Sequence, residues 1–126
     1  MPLTTPAPLF DEEHAAFMQG GVSITAAARD DALRTTLARA RGCRVAPDRR
    51  RVVILMSPSQ CAALLSNLRA HGAIAVVFSR PSTHRTLQLK GDDAVVEPVR
   101  PDGLAIALRH HEALALDLAW KPEVAA

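Results

Sequence analysis

The sequence predicts an α+β fold that is mainly β: a small antiparallel barrel with helices packed outside it. Three observations carry this expectation. The apolar run Ala73–Phe78 is broken at Pro81, and a strand of period two follows through Thr86, Leu87, Gln88, Leu89 and Lys90. The order of elements reads helix, three strands, helix, three strands, helix, which lacks the regular alternation of a doubly wound sheet. Finally, 126 residues with 48% apolar side chains allow one domain and one core.

With three Phe, one Trp and no Tyr, that core must be built from Ala, Val, Leu and Ile. Small side chains make a thin core, and packing against a second copy would help a domain of this size. The expected organisation is a Pro-rich lead-in over 1–8, a single domain over 9–118 and a tail over 119–126 containing Trp120.

Each element has a local reason. Asp11 caps a first helix, with Glu12 and Glu13 in its first turn and Gly20-Gly21 at its end. Val22, Ile24, Ala26 and Ala28 alternate as a first strand, and Arg29-Asp30-Asp31 makes a turn. Leu33 to Val45 reads as one long second strand with Gly42 as a bulge. Ala46-Pro47-Asp48-Arg49 is a turn signal before a third strand, Arg51–Met56.

Ser57-Pro58-Ser59-Gln60 fits a capping box, with Ser57 at N-cap and Gln60 three residues on. Cys61, Leu64, Leu65 and Leu68 then share one helical face, and Gly72 stops the helix. Strands follow over Ala73–Ser79, His84–Lys90 and Ala94–Val99. A final helix opens at Pro101-Asp102, with Leu104, Leu108, His111, Ala115 and Leu118 as its expected buried stripe.

Several function classes lack support. The net charge of +2 gives little general attraction to nucleic acid or acidic membranes. Arg39, Arg41, Arg44 and Arg49-Arg50-Arg51 cluster, but without aromatics to stack bases they read as a solvated hairpin. Cys43 and Cys61 have no metal-like spacing, and two thiols without a signal peptide point to a reducing cytoplasm. In His110-His111-Glu112 the neighbouring imidazoles point about 100° apart on a helix, so they do not converge on a metal.

The apolar strand, the Pro-x-Thr junction Pro81-Ser82-Thr83 and the strand ending Leu89-Lys90-Gly91 resemble the flavin-binding split barrels related to pyridoxamine 5′-phosphate oxidase. The resemblance runs from about Leu9 to about Leu118. It implies a six-stranded antiparallel split β-barrel, a homodimer, and FMN at the subunit boundary. It also implies flavin-dependent oxidoreductase activity on an unassigned substrate.

By resemblance, Arg34 faces the flavin phosphate, and Thr35 and Thr36 offer hydroxyls and backbone groups to the ring. Ser59 and Gln60 would receive phosphate at a helix start. Thr83, Arg85 and Thr86 come from the junction, with Thr86 where the oxidases carry a Gln. His84 has the pKa range of an acid or base but no assigned role.

Two departures qualify the resemblance. Ser59-Gln60-Cys61 lacks the positive charge that the oxidases place there, which implies weak binding and a protein that can purify without flavin. The chain also ends soon after Trp120, without the oxidases' C-terminal segment. The alternative is a non-enzymatic module of the same fold that stores or senses flavin or haem.

Overall fold

The computed structural model describes residues 8–98, 103–109 and 114. Three helices and six strands appear in it, arranged as two antiparallel sheets. Helix α1 (Glu12–Gln19) starts where expected: Asp11 Oδ1 accepts from the backbone N–H of His14 at 2.7 Å. Strands β1 (Ser23–Arg29), β2 (Thr35–Arg39), β3 (Gly42–Val45) and β4 (Val52–Leu55) follow, then helix α2 (Ala62–His71) and strands β5 (Ile74–Ser79) and β6 (Thr86–Gly91). Residues 103–109 form helix α3.

The four-stranded sheet has the order β2-β1-β5-β6, and β3 and β4 form a separate hairpin. Alternation along β1 decides its faces. Ile24, Ala26 and Ala28 are buried, and register places them beside Phe78, Val76 and Thr36. Helix α2 lies on this face, where Leu64 and Leu68 join the core. The opposite face carries Thr25, Ala27, Leu37, Val77 and Gln88, with Leu37 well exposed.

The expected long second strand is divided. Its two halves pair in different sheets, and the change takes one residue. Ala40 N–H donates to Ile24 O of β1 at 2.9 Å, while Arg41 N–H donates to Leu55 O beside β4 at 2.7 Å. Gly42 is therefore the first residue of a new hairpin rather than a bulge within one strand. A Cβ there would stand 3.1 Å from Ile106 Cγ2, so the glycine lets α3 approach.

Two turns match their residues. Arg49 N–H donates to Ala46 O at 2.8 Å across the β3–β4 turn, with Asp48 Oδ1 accepting from Arg50 N–H. Between β5 and β6, Thr83 and His84 N–H both donate to Arg80 O, and His84 takes a left-handed φ of 58°. His84 thus lies in the loop, not in the strand expected from residue 84.

Three expectations are corrected. Ser57 does not cap α2: its Oγ faces Ser59 Oγ at 3.2 Å, a separate turn closes by Cys61 N–H to Ser57 O, and the helix begins at Ala62 after an N-cap Cys61 whose side chain makes no capping bond. Residues 94–98 form no strand, although Ala94 and Val96 are half-buried and Val95 and Glu97 exposed. In α3, Gly103 and Ile106 face inward while Leu104 and Leu108 are exposed, so the stripe is out of phase. His111, Ala115 and Leu118, with the tail, lie outside the described residues.

Gly72 ends α2 as expected, with φ of 69° and its N–H bonded to Leu68 O. A Cβ at this position would meet Asp92 O at 2.8 Å. Gly72→Ala should lower stability by more than ~1 kcal/mol through strain and this clash. Urea unfolding should show a lower midpoint with an unchanged slope.

Candidate functional site

The division of the second strand fixes Arg41. Its backbone is bound into the β4 side, and its Nη2 donates to Gln60 Oε1 at 2.7 Å. Gln60 belongs to the turn before α2, together with Ser57 and Ser59. Beside them runs a groove of about 240 Å³ lined by Arg41, Leu55, Met56, Ser57, Gly103, Leu104 and Ala107. Its wall is mainly apolar, and Arg41 and Ser57 contribute to it. The lining includes no His, Cys, Asp or Glu.

The other expected residues occupy different places. Arg34 stands on the β1–β2 turn, 83% exposed, where its Nε meets Asp30 Oδ2 at 2.9 Å and its N–H meets Asp30 Oδ1 at 2.9 Å. Thr35 is exposed at the start of β2. Thr36 turns inward: its Oγ1 donates to Ala28 O and accepts from Asn67 Nδ2 of α2 at 3.0 Å. Thr36 therefore has the character of a sheet–helix fastener.

Thr83, Arg85 and Thr86 lie at the opposite end of the sheet. Register pairs Arg29 with Thr35 at one end and Ser23 with Ser79, then Ser79 with Thr86, at the other. The length of β1 separates the two sets by roughly 20 Å at ~3.3 Å per residue. One chain therefore does not bring Arg34 and Arg85 to a common ligand. Thr83 Oγ1 accepts from Arg85 N–H at 3.3 Å, and Thr86 Oγ1 lies 3.2 Å from Ser79 Oγ.

Sequence reasoning missed Arg41 as a candidate, and it placed Arg80 in the junction without its contact to α1. The run of arginines from Arg39 to Arg51 groups Arg41 with the solvated hairpin, and its bond to Leu55 of β4 takes it out of that group. Arg80 and Arg85 both lie over the ring of Phe17, at 5.4 and 4.9 Å from its centre. No local pattern joins α1 to a hairpin more than sixty residues further on.

Among the described residues no group of His, Cys, Asp and Glu could hold a metal ion, and no helix is long and apolar enough to cross a membrane. Comparison with family models, with curated proteins and with solved structures returned no match.

Cys43 and Cys61 are both free and buried. Burial pushes the Cys43 thiol up to about 12, so it is no nucleophile at neutral pH. The neutral thiol is the form the fold favours. Its contribution is therefore complete below the ordinary value near 9 and is lost as pH rises toward about 12. Cys43→Ala should lose less stability than the parent between about pH 8 and pH 11, measured as the difference in urea midpoints at the two values.

Proposed function

We propose that this chain is an FMN-binding protein whose flavin lies between two copies, serving as a flavin-dependent oxidoreductase of unassigned substrate. One observation carries the reading: Arg41, whose guanidinium donates to Gln60, contributes to the wall of an apolar groove. A flavin mononucleotide needs those two features side by side, a slot for a planar ring and a cation for a phosphate. Ser57 and Ser59 add hydroxyl groups at the same turn.

The groove's size favours a shared site. About 240 Å³ falls below the ~300–1,000 Å³ usual for small-molecule sites. A second copy would complete it, and would cover the exposed Leu104 at its rim. The same arrangement would let Arg34, Thr35, Thr83 or Thr86 of one chain approach the groove of another, which they do not do within one chain. Arg85 is left out of this flavin set because Phe17 and Glu13 engage it.

A finer architecture belongs to the same proposal. The two sheets would be the parts of a split barrel, with the strand from β2 to β3 passing between them. That short link from β2 to β3, bonded to both sheets within one residue, is what supports it.

Bound flavin would supply hydride or electron transfer. The chain's own part would be to hold and orient: Arg41 would take the phosphate charge, and Leu55, Met56 and Ala107 would exclude water from the ring. No lining residue would move a proton.

Titration with FMN should show saturable binding near micromolar, about −8 kcal/mol. Arg41→Ala should weaken FMN at least tenfold and riboflavin much less, because only FMN carries the phosphate. Equal losses for both would remove the phosphate role. Arg34→Ala measured alongside would show whether the exposed β1–β2 turn contributes from a second copy. Reduction of bound flavin by a nicotinamide or other donor would establish turnover, and binding without reduction would mark a flavin store or sensor.

A further inference from the structure

Phe17 is almost fully buried on α1, and two guanidinium groups approach its ring, Arg80 from the end of β5 and Arg85 from the loop before β6. The ring attracts each of them. Glu13 pairs with one of them: its Oε1 lies 3.3 Å from Arg85 Nη2, on a side chain that is 74% exposed.

Arg80 forms no ion pair among the described residues, and its buried Nε has no hydrogen-bond acceptor. Gly20 leaves room for this side chain, since a Cβ there would stand 3.0 Å from Arg80 Nη2. The loop's backbone is already committed: Arg80 N–H donates to Arg85 O, and Arg80 O accepts from Thr83 and His84. The cluster therefore holds two fixed cations and one exposed acid.

We propose that the β5–β6 loop and the first turn of α1 form a second anion site, for the dianionic headgroup of a phosphomonoester. Arg80 and Arg85 are its donors, and Glu13 is an internal occupant that the ligand displaces. Two guanidinium forks on different strand ends suit a tetrahedral anion with several acceptor oxygens. A single carboxylate is already present and leaves Arg80 without an ion pair, so one more negative charge is what the cluster lacks. Because Arg85 and Glu13 are exposed, the site would grip a headgroup and leave the remainder of the ligand in water. It shares no residue with the groove beside Arg41.

The test is calorimetric titration of the flavin-free, full-length protein with inorganic phosphate, in a low-salt buffer without phosphate, with acetate as the monovalent comparison. Phosphate should bind saturably and acetate at least tenfold more weakly. Glu13→Gln should tighten phosphate several-fold, since it removes the competing carboxylate from an exposed position where folding is not at risk. Arg80→Gln should weaken phosphate at least tenfold. Arg41→Ala should leave phosphate unchanged while weakening FMN at least tenfold, which separates this site from the groove. Absence of phosphate binding, equal binding of acetate, or weaker binding in Glu13→Gln would overturn the proposal and leave the cluster a clamp between the loop and α1.

Discussion

The structure depends on one residue-wide change of partner. At Ala40 the chain is still bonded to β1, and at Arg41 it is bonded beside β4. Ala40 is 3% exposed and Gly42 is buried, so neither position has space for a larger side chain without moving a neighbour. This corner turns the β3–β4 hairpin away from the four-stranded sheet. It also sets where α3 docks, because Ile106 lies against Gly42. The same corner delivers Arg41 to Gln60. Placement of the candidate groove is thus a result of sheet geometry, and the side chains follow from it.

Most of the elements were legible because their signals are local. Asp11 caps α1, Gly72 ends α2 in the left-handed region, and Ala46-Pro47-Asp48-Arg49 makes its turn. Errors arose where a local pattern had more than one solution. Apolar residues fill Leu104 through Leu108, so periodicity could not choose which face of α3 is buried; the approach to Gly42 chose Ile106. Residues 94–98 keep the alternation of a strand, but the described segment bonds to the chain through Ala94 N–H and Gly72 O and builds no ladder. Ser57-Pro58-Ser59-Gln60 has the composition of a capping box, yet burial of Cys61 at 2% exposure, with its Sγ 3.9 Å from Arg39 O, accompanies a separate turn there.

The candidate site was less legible than the fold. A sequence gives the residue types that could meet a phosphate, but their meeting depends on register and on sheet order. Arg34 satisfies Asp30 in its own turn, which lowers the Asp30 carboxyl below its ordinary range chiefly through the backbone N–H of Arg34. Thr36 is taken by Asn67. Those partners are near in space and could not be ranked by spacing alone. Arg80, Arg85 and Phe17 come together only because β5 pairs with β1 and places its hairpin next to α1.

That central pairing also governs how the chain assembles. β1 is the first strand made, yet one of its two neighbours, β5, lies about fifty residues further on. During synthesis β1 can zip with β2 at once, but its other edge stays unsatisfied until α2 and the whole β3–β4 hairpin have emerged. Ile24 and Ala26 are meanwhile denied Phe78 and Val76. Folding of this small domain is therefore set by a late, long-range closure, and it belongs with slow β-rich chains rather than with helical proteins of the same size.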